Sequence, residues 1–194
     1  MPAYCFTVIH GVPAEDVITR LGGDPGWPLR LTFEECFWLP GADQCLQVDA
    51  VADGRARAEP RGTWQAGGDV RAAWHHSPVL IAEHNCWRAN EDETAARLSY
   101  GGRLVSFSTD VTAVMRFVYA VDGVVITAFD PLLDRRPLEG EDPRALDHLL
   151  ADLRFGVEDA GAAAMTLLER ATGLRVTRSW LARRQRAARL PALI

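Results

Sequence analysis

Residues 103 to 131, RLVSFSTDVTAVMRFVYAVDGVVITAFDP, constrain the fold of this chain more than any other stretch. Three runs rich in Val, Phe, Tyr, Ile and Thr (RLVSFSTDV, AVMRFVYAV and VVITAFDP) follow one another there, which is the pattern of consecutive strands. Between the second and third, Val121-Asp122-Gly123-Val124 supplies an Asp-Gly pair, and such a pair suits a two-residue primed turn because both positions tolerate positive φ. The block therefore predicts a sheet.

The flanking segments extend that reading in both directions. YCFTVIH (4–10) reads as a strand ended by Gly11, and Pro13-Ala-Glu-Asp opens a helix to Leu21 with Pro in the first turn and two acids at its positive end. Gly22-Gly23-Asp24-Pro25 stops it. Residues 31 to 64 offer three strand-like runs, LTFEECFWL, QCLQVDAVA and ARAEPRGTW, separated by PGAD and DGR turn signals, as in an antiparallel meander. Trp74 to Trp87 is the next strand candidate, and Glu91 to Leu98 a helix ended by Tyr100-Gly101-Gly102. From Asp142 the periodicity becomes helical, through DPRALDHLLADLRF, VEDAGAAAMTLLERATG and TRSWLARRQRAARL. Gly173 fits a helix C′ position and Thr177 the following N-cap, so the last two helices read as a corner. The acidic, Pro-containing stretch 131–143 reads as an exposed loop between sheet and helical end. The expected fold is α+β: an N-terminal β-α unit, a largely antiparallel sheet of about six or seven strands, and C-terminal helices packed on one face. One domain spans 1–194, β-rich over 1–131 and helical over 142–190.

Composition supports one core and narrows the classes of function. With 194 residues and 48% hydrophobic content, the chain can bury a sizeable interior. No segment approaches the roughly 18 to 20 uninterrupted apolar residues of a membrane span. The N-terminus lacks a basic region before its apolar run, so no signal peptide is read and a cytoplasmic location is expected. Cys5, Cys36, Cys45 and Cys86 are far apart and form no C-x-x-C pair, which indicates reduced thiols and neither a zinc ribbon nor a disulfide scaffold. All 21 basic residues are Arg, as expected of translation from a GC-rich bacterial genome. Residues 171–194 hold six Arg and no acid, a local charge of +6 in a chain of net −5, which leaves −11 on residues 1–170. Such a segment either docks on an acidic face or meets nucleic acid; docking fits an acidic chain better.

The chemistry-bearing letters gather in VLIAEHNCWRANEDE (79–93). On a strand, Leu80, Ala82, His84 and Cys86 share one side, and Ile81, Glu83, Asn85 and Trp87 the other. Cys86 and His84 would then lie about 7 Å apart at Cα, too far for a direct nucleophile–base pair. Glu83, a carboxylate after VLIA, must be hydrogen-bonded, paired or placed at an edge. An ion pair to Arg116 or Arg103 satisfies it structurally; a polar anchor in a ligand pocket is the functional alternative.

Three segments resemble an actinobacterial family of small proteins known only as a domain of unknown function: CFTVIHGVPAEDVITRLGG, LIAEHNCW, and LSYGGRLVSFSTDVTAVMRFVYAVDGVVITAFDP. The resemblance extends into LLERATGLRVT and so runs nearly the full length. The family's middle motif, Glu-x-Asn-Gly-Trp, falls on Glu83, Asn85 and Trp87, with Cys86 where Gly is usual. The resemblance thus implies a chain that turns at Asn85-Cys86, and it implies no activity.

The remaining candidates have ordinary readings. Adjacent histidines such as His75-His76 point apart on a strand and have no H-x-H or H-x-x-x-H partner, so no metal site is expected. Asp122 belongs to a turn, and Asp130 before Pro131 reads as a cap; Asp110 and Tyr119 decorate the same block. Arg116, mid-strand among apolar residues, requires a partner. No phosphate loop, dinucleotide fingerprint, nucleophile elbow or H-E-x-x-H is present, and no cofactor is expected.

Three classes of function follow. A non-catalytic protein-interaction module, immunity-like or regulatory, is favoured by six Trp in an acidic chain. Glu83, Asn85, Trp87 and Arg116 are its candidate binding residues. A small enzyme of specialised metabolism would use Glu83 as acid or base, with Arg116 or Tyr119 orienting the substrate. DNA binding would use the Arg-rich C-terminal helix as a recognition helix, against which stands the long turn before it.

Overall fold

The computed structural model describes residues 3–27, 29–39, 44–51, 77–133, 139–156 and 158–191. In chain order the elements are β1 (Tyr4–His10), α1 (Ala14–Arg20), β2 (Arg30–Leu31), α2 (Phe33–Phe37), β3 (Gln44–Ala50), β4 (Val79–His84), a 3-10 turn (Arg88–Asn90), α3 (Asp92–Ser99), β5 (Arg103–Thr109), β6 (Met115–Val121), β7 (Val124–Phe129), a second 3-10 turn (Asp147–Leu149), α4 (Ala160–Thr172), α5 (Arg178–Ala182) and β8 (Gln185–Leu190). The eight described strands form one sheet in the order β2-β8-β3-β4-β1-β5-β6-β7, with every pairing antiparallel.

Alternation along the strands gives the sheet two apolar faces. Ile9, Val48, Ile81, Leu104, Val118 and Ala120 point to one side, where α1 and α3 cover them with Val17, Ile18, Ala95 and Leu98. Phe6, Val8, Leu80, Val105, Phe107 and Phe117 point to the other, covered by α4 and α5 through Ala164, Leu167, Leu168 and Trp180. The molecule is α+β with its C-terminal helices on one face, as the sequence implies. The β6–β7 hairpin closes with Asp122 at φ 47° and Gly123 at φ 84°, the left-handed pair of a primed turn. Gly173 ends α4 at φ 72°, and the Thr177 hydroxyl accepts the Trp180 N–H at 3.2 Å to start α5.

Three expectations change. LTFEECFWL is not a strand beyond Leu31: Thr32 and Glu35 form a reciprocal capping box, the Thr32 hydroxyl accepting the Glu35 N–H at 3.1 Å and the Glu35 carboxylate the Thr32 N–H at 2.9 Å, which nucleates α2. DPRALDHLLADLRF is wound into turns instead of a helix. Arg170 on α4 takes the Leu149 and Ala151 carbonyls at 2.9 and 2.6 Å, which pins the segment to α4 while Leu146, Leu149, Leu150 and Leu153 still reach the core. RQRAARL is a strand and not the end of a helix, and with the short β2 it raises the strand count above the expected six or seven. From Gln185 the buried Ala188 and Leu190 face α1 and α3, and pairing with β3 satisfies the backbone; tertiary pairing overrides the helix propensity of Ala and Arg. The third meander run (56–64), the PGAD turn (40–43), His75-His76 and part of the 131–143 loop lie outside the described residues.

Candidate functional site

The end of β4 is built on Glu83, which is 1% exposed. The strand stops at His84, and Asn85 turns the chain with φ 53°, a left-handed conformation that Asn tolerates. The chain then folds back over the strand end, so the Glu83 carboxylate accepts the N–H of Arg88 on one oxygen and of Ala89 on the other, each at 3.1 Å. Hydrogen bonds from the Cys86 and Cys5 thiols complete its surroundings. The Glu-x-Asn spacing thus has a structural cause: Asn85 reverses the chain, and Glu83 receives the backbone donors that the reversal delivers. Burial raises the Glu83 carboxyl above its ordinary value, and these four donors offset part of the rise.

A polar string continues from Glu83 beneath the 88–90 turn. The Cys5 sulfur lies 3.4 Å from Ser106 Oγ, Ser106 Oγ lies 2.7 Å from Thr7 Oγ1, and Asn90 Nδ2 donates to Ser106 Oγ at 2.9 Å and to the Arg116 carbonyl at 3.3 Å. The sequence reading missed Thr7, Asn90 and Ser106. For Thr7 and Ser106 the signal was present as polar letters at alternate positions, 5 and 7 on β1 and 106 and 108 on β5; Asn90, in the turn, carried none.

Of the predicted site residues, Trp87 and Arg116 line one cleft, whereas Glu83, Arg116 and Tyr119 separate. Arg116 does not meet Glu83; its guanidinium pairs with Asp92 at 2.6 Å and Glu139 at 3.6 Å. Arg103 lies at the far end of β1, opposite His10. Tyr119 packs on the α4 face of the sheet, whereas Glu83 points to the α1 and α3 face. Glu83, Arg116 and Tyr119 therefore do not converge. His84 stacks near Phe33 and Phe37, with ring centroids 5.1 and 4.3 Å apart, on the face away from Glu83. Cys86 is pushed up to about 12 by burial and by the neighbouring Glu83 carboxylate, which keeps it a protonated thiol. Asn85 is exposed, and Trp87 is 46% exposed.

Trp87 borders a cleft of about 450 Å³ between the 87–92 segment and the β5–β6 connection. Trp87, Val114 and Met115 form apolar walls; Asn90 and Ser108 are at hand; Glu91, Asp92 and Asp110 supply acid against Arg116. Asp110 accepts the Thr112 N–H and hydroxyl and the Val114 N–H at 2.8 to 2.9 Å, which holds the connection in shape and lowers its carboxyl. Among the described residues no three His, Cys, Asp or Glu side chains gather as a metal-ligand set, and no helix is long and apolar enough to cross a membrane.

Three of the six C-terminal arginines pair with acids of the same fold. Arg186 pairs with Glu15 at 2.5 Å, Arg184 with Glu35, and Arg175 with Glu169 at 3.4 Å. The segment on which DNA binding would rest is a helix of five residues, α5, followed by strand β8, which is flanked on both sides by other strands.

Fold and site together define an α+β protein with a two-faced antiparallel sheet, a buried Glu83 beneath the Asn85 turn at one strand end, and an acid-rimmed apolar cleft beside it. The chain belongs to a family of unknown function, DUF6461, which matches residues 1–188. No curated protein and no solved structure matches it.

Proposed function

We propose that this chain is a non-catalytic protein-interaction module, immunity-like or regulatory, acting in the cytoplasm of a high-GC, actinobacterial cell. The observation that carries the reading is the apolar surface at one end of the sheet. Trp87 (46%), Val111 (68%) and Val114 (57%) stay exposed around the cleft, and Phe37 and Trp38 (70%) stay exposed beside His84 on the same strand end. Large apolar side chains left in water, with acid lining the cleft, are the composition of a protein-binding surface. Cations that are all Arg support the high-GC origin.

The alternative reading, Glu83 as an enzyme's acid or base, draws support from its raised carboxyl. It needs a substrate path to a side chain that is 1% exposed and whose oxygens already accept two backbone N–H groups. The interaction reading needs no such rearrangement.

Site-specific photo-crosslinking in the native host tests it. Crosslinkers at positions 38 and 87 are expected to capture one common partner that a crosslinker at the exposed Arg178 does not. With that partner purified, Trp87→Ala should weaken binding by about 2 kcal/mol, roughly 30-fold, as for a buried aromatic anchor. The same adducts from all three positions would sink the proposal.

A further inference from the structure

We infer that the cleft beside Trp87 receives the guanidinium of an arginine side chain presented by the partner, an inference that rests on the interaction reading above. The first observation is a buried acceptor without a partner at the cleft. Asn90 is 1% exposed and lines the cleft. Its Nδ2 donates to Ser106 Oγ and to the Arg116 carbonyl. Because a carbonyl can only accept, that second bond fixes which way the amide points. Among the described residues Oδ1 has no hydrogen-bond partner. Buried acceptors are nearly always satisfied, by protein or by ordered water, so this one has capacity for an N–H donor that a partner brings into the cleft.

The second observation is charge. Glu91, Asp92 and Asp110 line the cleft and Glu139 adjoins it, against the single guanidinium of Arg116, which Asp92 already holds at 2.6 Å. Asp110 is bonded only to donors of its own turn and stays anionic. The cleft therefore favours a cation and disfavours an acidic or neutral side chain.

The third observation selects arginine among cations. Trp87 offers a half-exposed indole at the cleft wall. A planar guanidinium stacks on such a ring while its N–H fork remains free in the ring plane for an amide oxygen and a carboxylate. An ammonium group can do one or the other less completely. A space of about 450 Å³ admits the side chain with part of its flanking main chain.

The test uses the full chain, 15N-labelled, titrated with acetyl-Gly-Arg-Gly-amide and with the same peptide carrying citrulline, the uncharged isostere. The arginine peptide is expected to shift the Trp87 indole and Asn90 side-chain amide signals saturably, and the citrulline peptide to bind at least about tenfold more weakly. Glu91→Gln, an exposed substitution that leaves the Asn90 bonds untouched, is expected to weaken the arginine peptide several-fold, and Trp87→Leu more. Equal response to both peptides, no response, or shifts confined to other surfaces would overturn the inference. A partner still captured from position 87 with its affinity unchanged by Glu91→Gln would overturn the arginine assignment alone. Loss of that capture would count against the interaction reading instead.

Discussion

At the scale of single residues, the fate of Glu83 is decided by what its neighbours deliver to it. Asn85 turns the chain so that the Arg88 and Ala89 N–H groups reach both carboxylate oxygens. Glu83→Ala strands those donors in a dry site at about 1–3 kcal/mol each, so chemical denaturation should show a loss of roughly 3 kcal/mol, and Glu83→Gln, which keeps one acceptor, about half. The pH dependence has a definite sign. Burial raises the carboxyl in the folded state, so the folded chain holds this proton more tightly than the unfolded chain. The stability so gained is complete below the ordinary glutamate range and is lost as pH rises through the folded value. Urea unfolding of wild type and Glu83→Gln from about pH 4 to about pH 8 should therefore show the wild-type advantage shrinking as pH rises; an advantage that grows with pH would contradict the assignment. Alternation alone separated Glu83 from His84, because a strand's period of two is a local property. It could not supply the partners. Cys5 and Ser106 reach this place through strand pairing across the fold, and the backbone donors come from a turn that depends on the left-handed Asn85.

At the scale of elements, local pattern and structure agree where the pattern has one cause. β1, β5, β6 and β7 carry β-branched and aromatic residues between strong turn signals, and they form as read. Pattern fails where two causes compete. In LTFEECFWL the aromatic and branched letters suggest a strand, but Thr32-x-x-Glu35 is also a helix start, and the capping box prevails. In RQRAARL the good helix formers were read as a helix, while the alternation of buried Ala188 and Leu190 with exposed Arg189 was the better guide. Ala188→Glu separates the two readings by experiment. Ala188 is fully buried against the α1 and α3 layer, so a carboxylate there should cost about 3 kcal/mol or more, or abolish folding. A solvent-facing helix would tolerate it within about 0.5 kcal/mol. Thermal melts of the variant beside an Arg178→Glu control distinguish a buried strand from an exposed basic helix.

At the scale of the whole molecule, the sheet is closed by its last strand. β8 enters between β2 and β3, so residues 185–190 complete a sheet whose centre, β1 between β4 and β5, is assembled from the first residues of the chain. The pairing of Gln47 with Ala187 and of Leu46 with Ala188 spans most of the sequence, and no local pattern announces a partner so far away. This is why residues 185–190 read as the end of a helix when they are a strand of the sheet. Its arginines follow from that placement: β8 and the residues before it lie over the acidic surface of α1 and α2, where Glu15 and Glu35 meet Arg186 and Arg184. The ion pairs themselves are at the surface and worth little; the burial of Ala187, Ala188 and Leu190 is what joins the segment to the fold. A chain ending at Ala182 keeps Trp180 but opens the edge of β3 and uncovers Leu46 and Val48. Such an edge invites pairing with other chains. The truncated protein is therefore expected to lose its cooperative thermal transition, or to appear as aggregates by size-exclusion chromatography, even in salt high enough to screen every arginine. A detachable basic tail would instead leave the melting temperature of residues 1–182 unchanged, and that result would contradict a sheet completed by β8.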